Sequence, residues 1–470
     1  MKSVLVKAMV VAILLPWAAA FGADKLTLDD CIELALRHRS SIISARGSED
    51  LAKANRLAAL GSFLPNVSAS YSYSKGETRD QEVRVPYNAY EYTDYEYFVD
   101  TIEVDGTQFP VLAQRATDSL YLVDMVSEQP DQSRTSKGYG LSANLSLSGA
   151  TFFDYFSART AAQRASLNVI ASEQDLIYEV KGAFYAYLAA VENVSVQEDA
   201  VERSKEQLKL IESRFELGSA AKSDVLKQKV QYGNDRLSLL EAKNSVTSSK
   251  ADLAYTVGLD PHSDVEFSTD YMQRSYDGTM DEAIQYGLDN QPTLLSAKKY
   301  EVETGHDLRA AHMSYLPSFS AYGNLNWSDG SSGDTVLYNS KSNSWTLGFG
   351  LSMNIFDGFS RERNVASAKI ARNNARAALT EEKHLVSLQI KQAYLEIEKT
   401  SEQVKVNEEN VAAAEEDLKI TQEKYNLGAA TILDLLDAQV SLKEAQMSKI
   451  SSEFDYNLAV AALEHATGKM

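Results

Sequence analysis

Two aspartates three positions apart, Asp434 and Asp437, have the spacing that most suggests a chemical role. Residues at i and i+3 share one face of a helix, so both carboxylates would point the same way. Carboxylates on a shared face repel anions and attract cations, which is electrostatic rather than bond-making chemistry. The alternative is that both are solvated aspartates in a first helical turn, where the helix dipole favours negative charge.

No set of residues in the sequence matches a catalytic or metal-binding motif. The single cysteine, Cys31, cannot form a disulfide within one chain, so we predict that it is a small apolar residue on a helix face. Residues 138–143 fit a loose dinucleotide fingerprint, but they lie in an alternating strand with no helix after it. No two of the six histidines are spaced i, i+4, as a metal-binding helix requires. We therefore predict a protein that is not an enzyme and has no metal or cofactor.

Charge and the first residues indicate where the protein acts. The formal net charge of −20 disfavours nucleic acid as a partner. Lys2 and Lys7 flank the start of an apolar run, residues 8–21, which contains Pro16 and is shorter than the ~20 residues of a membrane-spanning helix. We predict a signal peptide over residues 1–22, so the mature protein leaves the cytoplasm.

The chain contains the same structural unit twice. Matching segments lie 252 residues apart near the start of each unit (279 − 27) and 210 apart near its end (425 − 215), so the first copy carries a net insertion. The matching pairs are 27–32 with 279–284, 62–65 with 314–317, 215–220 with 425–430, and 253–258 with 463–468. Such self-similarity indicates a duplication. The predicted organisation is a first repeat over 23–260 with a long loop over 75–137, a linker over 261–278, and a second repeat over 279–470.

Each unit is predicted to contain three helices. A helix of about 35 residues comes first and ends before Pro65 or Pro317, which mark the helix-to-strand entries. A longer helix follows the strands and carries an apolar residue at every seventh position, the pattern of a coiled-coil seam. It ends at a tight turn containing Gly218 or Gly428, from which a final helix returns. The predicted spans are 27–61, 155–216 and 220–257 in the first unit, and 279–315, 359–426 and 430–467 in the second.

Four segments alternate apolar residues with small polar ones. They are residues 67–74, 139–148, 319–328 and 345–355. This alternation predicts strands, and their length suits tilted membrane strands of ~9–11 residues. Their polar face is Ser, Asn, Gly and Thr except at Tyr322, so it can line water but cannot fill a core. The pattern favours a membrane β-barrel with a wet lumen over a soluble sandwich.

Four strands cannot close a barrel by themselves. Open sheet edges are not tolerated in lipid, so the protein must oligomerise. Two copies would give eight strands, too few for a water-filled lumen, whereas three copies give twelve. We therefore predict a homotrimer with a twelve-stranded barrel and a ring of coiled-coil helices.

The repeated helix–strand–strand–helix–helix order resembles the TolC family of outer-membrane efflux and secretion channels. The resemblance is carried by the Leu-Pro entry to each hairpin, by residues 356–358, and by the run from residue 425 to residue 437. It implies a Gram-negative outer-membrane protein, held in outer-membrane lipid, whose barrel is continued by an α-helical tunnel into the periplasm. It also implies a passive exit duct for tripartite efflux or type I secretion, with a periplasmic adaptor and an inner-membrane RND or ABC pump as partners.

The resemblance also assigns roles to residues at the helix turns. It implies that Asp434 and Asp437 ring the periplasmic aperture, with Asp224 as the first-copy match of Asp434. Relatives with a tightly closed aperture tie it through an aspartate, a tyrosine and an arginine, which correspond to Asp224, Tyr425 and the position of Ala430. Because Ala430 cannot replace that arginine, the closed state is expected to be weaker or to be held differently, for example through Lys222.

Two other functions and one segment stay open at this point. A coiled-coil-stalked surface or adhesion protein would not need a uniform polar strand face, and a periplasmic hydrolase would need catalytic residues. The insertion, residues 75–137, has 13 acidic and 6 basic residues. It is either a surface-binding loop or a loop specific to this lineage with short strands of its own.

Overall fold

The computed structural model describes residues 25–78, 81–86, 92–119, 124–129, 132–271, 275–332 and 339–470. The predicted signal peptide, residues 1–22, lies outside them. The described residues form two compact units. Among the described residues, a helical unit contains those from residue 25 to Gly61 together with those in Gly149–Leu316 and Ile355–Met470, and a sheet unit contains those in Ser62–Ser148 and Pro317–Asn354.

The described part of the helical unit contains two sets of four helices. The first set is α1 (Leu28–His38), α2 (Ser40–Gly61), α3 (Gly149–Glu216) and α4 (Lys222–Val257), and the second is α5 (Met280–Asn290), α6 (Pro292–Met313), α7 (Ser360–Asn426) and α8 (Ile432–Thr467). Capping boxes start α1 and α5 at Thr27 and Thr279. Glycines in the left-handed conformation end α4 and α8, at Gly258 (φ 87°) and Gly468 (φ 75°).

The prediction of one 35-residue helix at the start of each unit is wrong. The first such segment is interrupted at Arg39 (ψ 128°) and the second at Gln291 (ψ 120°), both in extended conformation. Gln291 precedes Pro292, which disfavours helical conformation in the preceding residue and lacks an N–H donor. Arg39 has no such neighbour. Its guanidinium instead donates to the Tyr255 carbonyl oxygen at 3.0 Å and to a Glu179 carboxylate oxygen at 3.1 Å, so contacts with α4 and α3 favour the break.

The seventh-residue stripe of the long helices faces inward. Its members are buried or half-buried at every position except Phe215. Val180 and Ile390 are equivalent at the offset of 210 and are fully buried in two separate apolar cores. Cys31 lies in the first core, the position expected for a small apolar residue. Burial there raises the pKa of its thiol to about 12. Among the described residues, no helix is both long enough and apolar enough to serve as a membrane span.

The sheet unit contains the four predicted strands and four more. The described strands are β1 (Asn66–Thr78), β2 (Gln81–Pro86), β3 (Tyr92–Val104), β4 (Thr107–Ser119), β5 (Asp124–Gln129), β6 (Gln132–Leu147), β7 (Ser318–Ser332) and β8 (Asn339–Ser352). Strands β1, β6, β7 and β8 form one antiparallel sheet in that order. Strands β1 and β8 are therefore its two edges within one chain.

The described part of the insertion forms strand pairs. Strand β2 pairs with β5, and β3 pairs with β4. The pairing of Gln81 in β2 with Gln129 in β5 has the same register as the pairing of Thr78 with Gln132 in the main sheet. A two-residue turn at Asp105 (φ 54°) and Gly106 (φ 80°) joins β3 to β4, as expected for Asp-Gly in a hairpin. The interpretation that this segment has strands of its own is therefore correct.

The small polar residues form a continuous face on the four-stranded sheet. Serine hydroxyls on neighbouring strands hydrogen-bond across this face at 2.7 Å (Ser68–Ser142) and 2.7 Å (Ser328–Ser342). Tyr322, the large exception, pairs with Gly348, where its ring occupies the space that a side chain would need. Large apolar side chains are exposed on the opposite face, including Tyr71, Leu325 and Trp345.

Candidate aperture at the helix turns

Two equivalent turns end the long helices of the helical unit. Gly218 joins α3 to α4, and Gly428 joins α7 to α8, with φ of 78° and 77°. The amide after each glycine donates to a helix carbonyl oxygen, Ser219 to Arg214 at 2.8 Å and Ala429 to Lys424 at 2.8 Å. This pattern is a glycine-dependent helix cap, in which a side chain with a Cβ would be strained.

One apolar cluster holds the two turns together. Ile211 and Val225 come from the first copy, and Ile432 and Leu435 come from the second; all four are buried. Tyr425 packs at the border of this cluster. The turns of the two copies therefore form a single tip within one chain.

Asp434 and Asp437 both lie in the first turns of α8, but their surroundings differ. Asp434 accepts hydrogen bonds from the Thr431 amide and hydroxyl, both at 2.7 Å, and its own amide donates to the Thr431 hydroxyl at 3.3 Å. This capping box lowers the pKa of the Asp434 carboxyl through the Thr431 hydrogen bonds. Asp437 is exposed and makes no hydrogen bond or ion pair within the described part of the chain. Of these two aspartates, only Asp437 therefore has no role in stabilising the helix end.

The first-copy turn lacks the cap. Ala221 stands where Thr431 does, and it makes no side-chain hydrogen bond to α4. Asp224, the counterpart of Asp434, is instead bonded by the neighbouring Ser223 hydroxyl at 3.3 Å. Its carboxylate is also close enough to Tyr425 for its charge to raise the pKa of the tyrosine hydroxyl, after the larger effect of burial. The structure thus brings Asp224 and Tyr425 together.

Arg214 is the tip residue that sequence reasoning missed. Its guanidinium lies 5.5 Å from the centre of the Tyr425 ring, and it donates to the Asn426 side-chain oxygen at 2.9 Å. Arg214 counteracts the raised pKa of Tyr425 by hydrogen bonding and charge. The available signal was that position 214 is basic in both copies, since Lys424 is its counterpart at the offset of 210.

Lys222 lies beside an aromatic ring of its own repeat, and the two prolines lie directly before strands. The Lys222 ammonium lies 5.1 Å from the centre of the Phe215 ring in its own copy, and it makes no ion pair among the described residues. Pro65 and Pro317 belong to the sheet unit, directly before β1 and β7. Within the described residues, no three His, Cys, Asp or Glu side chains are grouped to hold a metal ion.

The tips also expose two apolar side chains. Leu217 is 84% exposed and Leu427 is 85% exposed, immediately before the two turn glycines. Exposed leucines at equivalent places in both copies are consistent with a contact site for another protein.

Comparison with known proteins gives matches over both copies. The profile of the family described as "Outer membrane efflux protein" matches residues 31–259 and 283–469. The Brucella suis outer membrane efflux protein BepC is 24% identical over 344 residues, 72% of this chain and 73% of that protein. The Vibrio cholerae outer membrane protein TolC is 25% identical over 318 residues, 67% of this chain and 72% of that protein.

Solved structures share the fold. The crystal structure of the outer membrane protein VceC from Vibrio cholerae superimposes with a TM-score of 0.72 at 17% sequence identity. The match covers 94% of this chain and 96% of that chain. It therefore includes nearly all of the helical and sheet units.

Proposed function

Since the chain belongs to the outer membrane efflux protein family, we propose that it is the exit duct of a tripartite efflux system or a type I secretion system. It is an outer-membrane channel protein of a Gram-negative bacterium that reaches into the periplasm, and it is not an enzyme. The observation that carries the proposal is the sheet with one small polar face and one large apolar face, because that division suits water on one side and lipid on the other.

The proposed wall of the duct requires three protein chains. The edge strands β1 and β8 have unpaired backbone groups in one chain, which a lipid environment does not tolerate. Pairing β8 of each chain with β1 of the next chain would close a twelve-stranded barrel with the serine-rich face inward. The helical units of three copies would continue the conduit as a coiled-coil tunnel.

The proposed gate is the tip formed by the two turns. Three tips would bring six carboxylates, from Asp434 and Asp437, around one opening and make it prefer cations. Asp437 would supply the free charge, because Asp434 already caps α8. In the closed state, Arg214 together with Tyr425 and Asp224 would hold the turns of the two repeats of one chain against each other. This contact would take the place of the arginine that relatives have at the position of Ala430.

The proposed partners are a periplasmic adaptor and an inner-membrane RND or ABC pump. The exposed leucines 217 and 427 offer each adaptor an apolar anchor at the turns. Six such leucines in a trimer would suit a partner that binds in several copies around the tip.

The experiment is conductance of the purified mature protein in a planar bilayer. We expect a trimer in detergent and discrete cation-preferring channels that are blocked by multivalent cations added on the tip side. A stalked surface protein would insert without conducting. A monodisperse monomer with intact β-sheet signal, or a trimer that never conducts, would contradict the proposal.

A further inference from the structure

A cavity of about 680 Å³ opens on the second copy beside the start of α5. Its walls are residues 275–278, the first turns of α5 and the end of α8. That end of α8 lies away from the tip, since a helix of 36 residues is ~54 Å long. The lining includes Gly278, Ala283, Leu463 and Thr467.

The first copy shows what such a place holds. The counterparts of these four residues, at offsets of 252 and 210, all belong to the apolar core that contains Phe267. They are Leu26, Cys31, Leu253 and Val257. Phe267 is 2% exposed, and the centre of its ring lies 5.7 Å from that of Tyr187. The cavity in the second copy therefore corresponds to a place that an aromatic side chain fills in the first.

Strand pairing holds Phe267 in that place. Leu26 and Phe267 form a parallel bridge. The Leu26 amide donates to the Glu266 carbonyl oxygen at 2.9 Å, and the Ser268 amide donates to the Leu26 carbonyl oxygen at 2.8 Å. Gly278, the counterpart of Leu26, forms no such bond within the described part of the chain. Its near neighbours in sequence cannot supply a parallel partner, because a parallel connection needs a crossover of roughly a dozen or more residues.

The segment that fills the first copy is acidic, and its surroundings are basic. Residues 263–270 contain three acidic residues and no basic one. Lys25 directly precedes Leu26, and Lys250 of α4 pairs with Asp264 of the segment at 3.7 Å. The segment and its surroundings are therefore matched in charge.

The cavity of the second copy has the opposite charge. The counterparts of Lys25 and Lys250 are Asp277 and Val460, and both of these line the cavity. The lining has three carboxylates and one ammonium group, which come from Asp277, Glu282, Glu464 and Lys469.

The three carboxylates differ in what they already bind. Glu464 pairs with Lys181 at 2.7 Å, and Glu282 caps the start of α5. Asp277 is exposed and makes no hydrogen bond or ion pair with any of the described residues. A segment entering this cavity would therefore meet an uncompensated negative charge at Asp277, and a basic segment would match it.

We propose that the cavity is a docking site for an extended basic segment of another protein. The segment adds a parallel strand beside Gly278 and inserts an aromatic side chain into the cavity, whose lining also includes Tyr276 and Tyr286. Strand addition of this kind takes its affinity from main-chain hydrogen bonds and its specificity from a side-chain pocket. The site lies on the helical unit away from the tip, so the inference goes beyond the proposed exit duct.

The test is binding of a labelled peptide to the full mature protein in detergent, measured by fluorescence anisotropy. The peptide has the sequence of residues 262–271 with Asp264→Lys, Glu266→Lys and Asp270→Lys, and we call it the lysine peptide. It keeps the aromatic residue that fills the first copy and reverses the charge around it. We expect saturable binding at one site per chain. The unsubstituted peptide should bind about tenfold more weakly, because its charge matches the first copy instead.

Two variants of the lysine peptide separate docking from general attraction to a protein of net charge −20. Phe267→Ala removes the aromatic side chain, and N-methylation at Ser268 removes the amide that donates to Leu26 in the first copy. Both keep the charge, and each should weaken binding about tenfold. Equal binding by all three forms would overturn the proposed site.

A charge reversal in the protein tests the site from the other side. Asp277→Lys restores the charge of Lys25 and should reverse the preference between the lysine peptide and the unsubstituted one. The matched control is Asp289→Lys, since Asp289 is an exposed aspartate of α5 that does not line the cavity. If the two variants change peptide binding equally, the cavity is not the site.

Conductance of the same preparations distinguishes this inference from the proposed function. A protein that conducts but does not bind the lysine peptide would overturn the docking site and leave the exit duct standing. A protein that binds the lysine peptide with the expected dependence on Asp277 but never conducts would do the reverse.

Discussion

The guanidinium of Arg214 lies 5.5 Å from the ring centre of Tyr425 and joins the turn of the first copy to the turn of the second. Both residues come from the last turn of a long helix, 211 positions apart (425 − 214). The pair adds a directional contact to the apolar cluster at the tip. Because the proposed gate opens by changing the arrangement of these turns, the contact is a point at which opening can be altered.

Arg214→Ala should shift the channel towards its open state. The cation–π contact and the hydrogen bond to Asn426 together contribute roughly 1–2 kcal/mol, which corresponds to roughly a tenfold rise in the open population. Open probability in planar bilayers measures this. The control is Arg236→Ala, since Arg236 makes the same type of contact with Tyr232 within α4. Equal gating in the two variants would show that the tie at Arg214 does not hold the closed state.

Asp437→Asn should reduce cation selectivity and block by multivalent cations without lowering stability. The reason is that Asp437 is exposed and makes no contact among the described residues. Reversal potentials under a salt gradient measure the selectivity. Thr431→Ala is the complementary variant, because it removes the cap of α8, at a cost of about 1 kcal/mol, and keeps both carboxylates. If Asp437→Asn retains full selectivity and block, the constriction lies elsewhere in the conduit.

Asp434→Asn should lower thermal stability in a pH-dependent way. The hydrogen bonds from Thr431 lower the folded-state pKa of Asp434, so its stabilising contribution is present above the unfolded-state pKa and is lost as pH falls through the folded-state value. The difference in melting temperature between the wild type and Asp434→Asn should therefore be full at neutral pH and shrink below about pH 4. A difference that stays constant down to acid pH would argue against the ionised cap.

Gly428→Val should impair folding of the tip and recovery of the trimer. Gly428 has φ of 77°, and a residue with a Cβ in that conformation costs roughly 1–2 kcal/mol. The yield of trimer and its melting temperature measure the effect. Gly47→Ala is the control, because Gly47 lies within α2 and a Cβ there meets nothing within 4 Å. If valine at 428 is tolerated as well as alanine at 47, the turn does not need its left-handed residue.

The long helices and the strand faces could be predicted from the sequence because each depends on a short period, and the duplication could be predicted because matching segments recur at offsets of 252 and 210 residues. A seven-residue repeat puts Val180 and Ile390 on the apolar face of their helices, and alternation puts Ser68 and Ser142 on the polar face of their strands. The turn glycines are equally local, and so is the Thr431–Asp434 cap, although it was not among the features predicted from the sequence. The break at Gln291 was also local, since Pro292 follows it, and the 35-residue prediction overlooked that signal.

The tertiary structure decided the features that depend on residues distant in the chain. The break at Arg39 is associated with contacts on α3 and α4, and the role of Arg214 depends on a tyrosine in the other copy. Equivalent positions also acquire different environments: Ile450 is buried in a core with Tyr185 of α3, whereas Leu240 is left exposed on α4. Periodicity determines which face of a helix is apolar, but only the order in which helices pack determines which apolar faces are covered within one chain.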